Sequence, residues 1–583
     1  MMRLERTRSW VGILLAVFIL LGIGLRFYHI TRPDFIFYDE GYYFNLDKRH
    51  FMEMALKNPP QGLREWGQAL YADWRIALGS GKPIWVFLNY VQFLWGNGEN
   101  WYFTRLVSAV FGCLTMGLVY LFSRRLSGNF FVAALSTMLF AVLPSHVFYS
   151  RTGLQEGLST FLFLAAFYFY GSTRFACSPW IEASNHPERV TNEMRSESKG
   201  QPLKNNRTPL FFEEIGWRAF LSGFLAAMAY FSNYRLIILP VMLGFCAVYT
   251  WLIREEKDRK FFPAIRKYVW WLLTFFFFVI MIASFDKAQH MKVIVPWMAH
   301  QADLAQREPF AWQNLFSYPY YLFRLESMFL GILFWASFYL VTRKQWGQLF
   351  PFFLVCLQML IFSFAQEKAA RYICVVTPFI ALAAAISAGW FYEYFKRNTV
   401  KSVLIGFLAL MLLLMSVKSW AISQFESAYR PAMEYIKEAD PETRVVTSQK
   451  WIMNLFTKNY RNVHELPHTF VYLLNYYARG YRYLVIDPQA YISWTQDKKR
   501  FSPPLEDYLR YLVRAARPVK TFAHLSPVML ERFVFEHSEN LPRSIRFLDQ
   551  APPDTGGIRV YDLSEFMQEL KPLIENQTEK NKS

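Results

Sequence analysis

The chain has 583 residues, of which 54% are hydrophobic, 19% aromatic and 19% charged; this excludes a disordered chain and a coiled coil. A net charge of +18 fits nucleic acid, an acidic partner or the basic loops of a membrane protein, and the placement of the charges decides among them. The five cysteines (Cys113, Cys177, Cys246, Cys356 and Cys374) show no CxxC or CxxH spacing, so no zinc or redox motif is present.

The apolar residues fall into uncharged runs long enough for membrane helices. In chain order they are Ser9–Leu25, Leu106–Ser123, Leu126–Ser150, Gly157–Thr173, Ala219–Tyr234, Leu236–Ile253, Tyr268–Phe285, Ser327–Thr342, Gln345–Gln366, Tyr372–Tyr392 and Ser402–Val417. Arg26 follows the first run without a small-residue cleavage site, which predicts an anchor rather than a removed signal peptide. Pro83–Gly98 is uncharged too, but Asn89, Gln92 and Asn97 make it a poor span, and it is expected to lie at the interface or re-enter. With Arg3, Arg6 and Arg8 inside, later inner loops carry twenty basic residues against eight in the outer loops after the second span. The sequence therefore predicts a polytopic, all-α bundle of about 11 transmembrane helices with a cytoplasmic N-terminus. Topology accounts for most of the charge, and nucleic acid is not an expected partner.

Three polar regions interrupt the runs. Residues 30–105 form a long first outer loop with amphipathic helices expected around Tyr42–Leu56 and Arg64–Ile76. Arg174–Glu214 reads as a mobile cytoplasmic loop. Residues 418–583 have the pattern of a soluble, extracytoplasmic α/β domain beside the 1–417 membrane domain. Its expected strands are Arg444–Ser448, Tyr483–Asp487 and Ile558–Leu563, and Leu505–Ala516 is an expected helix.

Ionisable residues next to hydrocarbon are costly and mark function. They gather at the predicted outer mouth: Asp39 and Glu40 after the first span, Lys82 before Pro83, Arg151 and Glu156 around a short turn, and Lys368 and Arg371 before Tyr372. Each has a plainer reading. Asp39–Glu40 fits a solvated pair or a helix cap, and Lys82 fits a headgroup anchor. Arg151 with Glu156 fits a salt bridge between spans, and Arg371 fits snorkelling like that of Arg26. His290 and His300 lack a third ligand at a recognisable spacing, so no metal site is expected.

The order of these elements resembles the polyprenyl-phosphate-dependent glycosyltransferases of the C-type fold. The residues that carry the likeness are the first-loop Asp-Glu, Gly81-Lys82-Pro83, the run Arg105–Arg125, the Tyr149-Ser150-Arg151 turn with a carboxylate five residues on, and Arg371-Tyr372 before Pro378. The nearest likeness is to protein O-mannosyltransferases and the lipid A aminoarabinose transferase. It implies an active site at the extracytoplasmic face of a bacterial inner membrane and a polyprenyl-phosphate sugar as donor, with no further cofactor. It also makes Asp39 the family's first-loop Asp. Gly81 stands where the aminoarabinose transferase has Glu, and Glu156 where it has Asp, so the acceptor hydroxyl (lipid, glycan or protein) is left open.

The chemistry follows from the substrates. A glycosyl phosphate carries an acidic leaving group, which needs cations more than a general acid, whereas the attacking hydroxyl must lose a proton to a carboxylate. A single displacement inverts the anomeric centre, unlike the double displacement of retaining hydrolases. Asp39 is the expected base, with Glu40 beside it. Lys82, Arg151, Lys368 and Arg371, with Glu156 and Tyr372, make up the donor and phosphate site. A transporter or flippase of lipid-linked sugars, or a non-catalytic sugar-lipid binding protein, would share the polytopic pattern, but neither needs Asp39.

Overall fold

A computed structural model of the protein describes residues 2–31, 40–41, 45, 61–96, 102–171, 216–252, 261–307, 312–342, 348–364, 370–439, 442–457, 462–467, 470–487, 517–523 and 557–568. The expected helix at Leu505–Ala516, the loop Arg174–Glu214 and most of Tyr42–Leu56 lie outside these residues.

The described helices are α1 (Met2–Phe27), α2 (Leu63–Leu78), α3 (Pro83–Gly96), α4 (Phe103–Ser127), α5 (Phe130–Ala141), α6 (Pro144–Ser150), α7 (Glu156–Tyr170), α8 (Gly216–Ser232), α9 (Leu239–Leu252) and α10 (Phe261–Ala283). They continue with α11 (Lys287–Arg307), α12 (Met328–Ala336), α13 (Phe350–Ser363), α14 (Thr377–Tyr394), α15 (Asn398–Ser423), α16 (Tyr429–Ala439) and α17 (Phe470–Ala478). Each of the eleven uncharged runs overlaps a helix. Among the described residues six helices are long and apolar enough to cross a membrane, or seven if the bent pair α5–α6 counts as one span. The runs at α7, α12 and α13 are shorter apolar helices. Pro83–Gly98 is helical through Gly96. Its first half packs Trp85, Val86 and Tyr90 into the interior, all at 0% exposure.

The run Leu126–Ser150 is not one helix. Gly128 takes the left-handed conformation (φ 67°) and ends α4, after which the Asn129 side chain caps α5 by accepting from Phe131 N–H. A second break of 58° precedes Pro144, whose missing N–H is tolerated at a helix start. Carbonyls freed by a break must find donors inside the protein, because lipid offers none. Arg26 supplies Ala141 O at 2.8 Å and Phe140 O at 3.4 Å, and Ser419 Oγ supplies Val142 O at 2.8 Å. The Ser145 N–H donates to Glu326 Oε2 at 3.1 Å. Arg26 therefore does not snorkel. It is fully buried, with its second terminal nitrogen also 3.0 Å from His146 Nδ1. That nitrogen must accept, since arginine has only donors.

Helix α2 is amphipathic as expected, with Ala69, Asp73 and Ala77 on its buried stripe. Its outer face is tied to the α10–α11 junction by Arg75 Nε to Asp286 Oδ2 at 2.6 Å and Tyr71 Oη to Phe285 O at 3.1 Å. Burial raises the Asp73 carboxyl to about 8. The folded protein then binds a proton that the unfolded chain releases near pH 4, so the stability Asp73 contributes is present at low pH and is lost as pH rises toward 8. The thermal midpoint in detergent should fall between pH 5 and 8.5, and Asp73→Asn should flatten this slope. An unchanged slope in the variant would assign the pH dependence to other groups.

Beyond α15 a five-stranded sheet is built from β1 (Arg444–Thr447), β2 (Val463–Glu465), β3 (Tyr481–Ile486), β4 (Lys520–Ala523) and β5 (Gly557–Asp562), in the order β2-β1-β3-β5-β4. β1 is parallel to β2 and β3, with Val445 opposite Val463 and Tyr483; β5 is antiparallel to β3 and β4. The sheet packs Val445, Val463, Val485, Ile558 and Val560 against Ala432, Met433 and Ile436 of α16. Helix and sheet thus share one small core, as layered domains do.

Candidate functional site

The loop after α1 returns to the bundle at Glu40. Its Oε1 accepts from Arg105 Nε at 3.1 Å, in an ion pair whose side chains are 7% and 2% exposed, and also from the Gly153 N–H. A Cβ at Gly153 would meet Thr104 Oγ1 at 2.6 Å, so only glycine lets the turn approach this closely. On the other flank the loop touches the sheet unit. Asn45 Nδ2 donates to Trp451 O and to Gly41 O, both at 2.7 Å, and a Cβ at Gly41 would lie 2.8 Å from the Trp451 carbonyl. The segment that follows Asp39 is therefore gripped from both sides. Asp39 and Lys368 themselves lie outside the described residues.

Arg151 is buried in the turn between α6 and α7, but it does not pair with Glu156. Its terminal nitrogens donate to Leu25 O at 2.7 Å and Ser423 O at 3.1 Å. One cation thereby ties the C-terminal ends of α1 and α15, where helix carbonyls lack intrahelical partners and the dipole favours positive charge. Burial first, and the neighbouring Arg105 second, pull its pKa below the usual arginine value.

Glu156, the first residue of α7, is 2% exposed. Gln155 Nε2 donates to its Oε1 at 2.9 Å, while Oε2 has no hydrogen-bond partner among the described residues. One turn on, the Ser159 and Ser232 hydroxyls meet at 2.8 Å, bringing the end of α8 alongside. There Asn233 Oδ1 accepts the Arg235 N–H at 3.2 Å and starts the turn that presents Arg235. The Arg235 guanidinium lies over the Tyr372 ring, 4.3 Å from its centroid, and Arg371 approaches the same ring at 6.0 Å. Gln358 Nε2 holds the Tyr372 carbonyl at 2.9 Å. Arg235 makes no ion pair among the described residues. The Ser159–Ser232 and Arg235–Tyr372 contacts thus link α7, the end of α8 and the segment before α14.

Lys82 joins this group through its backbone. It is buried at 7% exposure and precedes α3 in a turn where Gly81 has φ of 79°. The Tyr234 N–H donates to Gly81 O at 3.1 Å, so the turn that carries Lys82 is bonded to the residue beside Arg235. Among the described residues no three His, Cys, Asp or Glu side chains are placed to hold a metal.

The sequence reading named Glu40, Lys82, Arg151, Glu156, Arg371 and Tyr372. The structure adds Arg235 as a second cation on Tyr372 and Arg105 as the partner of Glu40. The signal for Arg235 was available: it is the single charge between the apolar runs Ala219–Tyr234 and Leu236–Ile253.

Residues 16–183, the stretch that holds Glu40, Lys82, Arg105, Arg151 and Glu156, match the family model described as dolichyl-phosphate-mannose-protein mannosyltransferase. No curated protein matches the sequence. Among solved structures the chain is similar to the archaeal oligosaccharyltransferase AglB from Archaeoglobus fulgidus in complex with an inhibitory peptide and a dolichol-phosphate. That match has 12% identity and a TM-score of 0.50 and covers 84% of this chain and 71% of that one. ArnT from Cupriavidus metallidurans in the apo state matches at 13% identity, with a TM-score of 0.49 over 84% of this chain and 95% of that one. The Saccharomyces cerevisiae protein O-mannosyltransferase Pmt1-Pmt2 complex matches at 15% identity, with a TM-score of 0.31 over 48% and 34%. At these identities the likeness is one of fold. The chain is a multi-pass integral membrane protein that resembles the polyprenyl-phosphate-dependent glycosyltransferases of the C-type fold.

Proposed function

We propose that the protein is a glycosyltransferase that moves a sugar from a polyprenyl phosphate to an acceptor hydroxyl at the extracytoplasmic face of a bacterial inner membrane, with inversion. The observation that carries this is the pair of guanidiniums on the buried Tyr372 ring. Two cations held on one ring attract an anion, and arginine presents a planar fork that suits phosphate. The presence of a dolichol-phosphate in the archaeal enzyme of similar fold supports a lipid phosphate as that anion.

In this reading Arg235, Arg371 and Lys82 hold the phosphate and stabilise the charge that grows on it as the sugar–phosphate bond breaks. Asp39 takes the proton of the attacking hydroxyl, and the departing polyprenyl phosphate keeps the bonding electrons. Arg151 acts at a distance, by fixing the ends of α1 and α15. The assay is release of polyprenyl phosphate from a polyprenyl-phosphate sugar by purified protein supplied with an acceptor hydroxyl. Movement of the intact lipid-linked sugar across vesicles without cleavage would favour a flippase instead.

Orientation is tested separately. Reporters active on one side of the membrane, fused after Arg195, Arg259 and Gln577, should read cytoplasmic, cytoplasmic and extracytoplasmic. A cytoplasmic reading after Gln577 would overturn the outward-facing site.

A further inference from the structure

His290, near the start of α11, sits between two tyrosines of the α8 end. Its Nε2 is 3.2 Å from Tyr230 Oη and its Nδ1 is 2.8 Å from Tyr234 Oη. Tyr234 Oη in turn donates to Leu78 O at 2.9 Å, at the last residue of α2. A phenol has one hydrogen, so towards His290 the Tyr234 oxygen can only accept, and Nδ1 must carry N–H. In a neutral ring Nε2 is then bare and accepts the Tyr230 hydroxyl. The proton positions of the whole chain are thus fixed: Tyr230 to His290, His290 to Tyr234, Tyr234 to Leu78.

This chain ends on the turn that presents Lys82. Tyr234 holds that turn twice, by its hydroxyl at Leu78 O and by its backbone N–H at Gly81 O, 3.1 Å away. Helix α11 also closes over the turn directly. A Cβ at Gly81 would meet Val293 Cγ1 at 3.2 Å, and one at Gly79 would meet Gln289 Oε1 at 3.3 Å. The His290 ring stands edge-on to Tyr234, with centroids 4.9 Å apart, and Tyr230 and Tyr234 are stacked at 4.9 Å. A left-handed glycine turn has little stiffness of its own, so its geometry is set by what packs and bonds on it.

We propose that His290 is a positioning residue for the donor site: acting through Tyr234, it locks the Gly79–Pro83 turn and so fixes Lys82 where the donor phosphate binds. The proposal rests on the reading of Lys82 as a phosphate contact. His290 does not touch substrate. It differs from a residue that merely supports the fold, because its loss acts on donor binding more than on turnover at saturation.

The test uses the full-length protein in detergent or nanodiscs with a polyprenyl-phosphate sugar. His290→Phe keeps the ring packing and removes both hydrogen bonds. Tyr234→Phe deletes a single oxygen. His290→Gln retains one donor and one acceptor. Two lost bonds of about 1 kcal/mol each correspond to about 10- to 30-fold in affinity. Donor KM should rise by about that factor in His290→Phe and by at least as much in Tyr234→Phe, which loses the bonds to His290 and Leu78 O, with kcat little changed and most of the loss recovered in His290→Gln. Hydrogen exchange of the 78–84 segment should speed up in the two Phe variants. Unchanged exchange there, or an unchanged donor KM while Lys82→Ala loses donor binding, overturns the proposal alone. Normal donor binding in Lys82→Ala overturns the reading of Lys82, and the proposal falls with it.

Discussion

Asp39→Asn is expected to lower sugar transfer by about 100-fold or more while binding of the polyprenyl-phosphate sugar survives. The amide keeps the shape and hydrogen-bonding capacity of the carboxylate and removes only its basicity. The neighbouring position behaves differently. Glu40 already receives Arg105 and the Gly153 N–H, so Glu40→Gln strands a buried guanidinium. Removing one member of a buried pair typically costs about 3 to 5 kcal/mol. Glu40→Gln should therefore lower the thermal midpoint together with turnover, whereas Asp39→Asn should leave the midpoint intact. Turnover, donor binding and melting, measured on both variants, separate the base from the residue that holds its loop. Near-normal turnover in Asp39→Asn would remove it as the base.

Arg371→Ala and Arg235→Ala should each weaken donor binding by about 2 to 5 kcal/mol, or about 30- to several-thousand-fold in affinity. Both guanidiniums share the Tyr372 ring, and cation–π contact with a desolvated ring adds about 2 kcal/mol or more. Arg235→Lys keeps the charge but loses the planar contact, and should fall between wild type and Arg235→Ala. Binding of the lipid to purified protein reads the effect directly. A folded Arg235→Ala variant with wild-type affinity would take Arg235 out of the site.

Much of the fold was legible because two signals are strong in sequence. Uncharged runs of membrane length located the helices, and short β-branched and aromatic stretches located β1, β3 and β5 within a residue or two. What escaped was decided by contacts between distant segments. Leu126–Ser150 read as one span, since nothing local says that Arg26, Ser419 and Glu326 will accommodate a break before Pro144. Arg151 read either as a phosphate ligand or as a salt-bridge partner of Glu156, but the carbonyls of Leu25 and Ser423 take the arginine. Glu40 was legible as part of a site, yet its partner Arg105 was only the start of a run. The pairing of Arg235 with Tyr372 needs the turn after α8 to meet the turn before α14, and no pattern in either one announces it.

The break before Pro144 has a consequence for how the chain is made. The break between α5 and α6 exposes carbonyls that lipid cannot satisfy, and the donor for two of them is on α1, which leaves the ribosome before them. Arg26 is equally uncomfortable in hydrocarbon until those carbonyls arrive. Each segment is thus a poor passenger in the bilayer alone and a good one in company, which makes α1 wait beside the insertion machinery for α5 and α6. Biogenesis, more than the finished protein, should then feel the loss of this arginine. An Arg26→Leu chain should be synthesised at the normal rate and cleared by membrane proteases soon after, and pulse-chase labelling would show it. An Arg26→Leu chain as long-lived as wild type would mean that the broken helix finds its donors without the first.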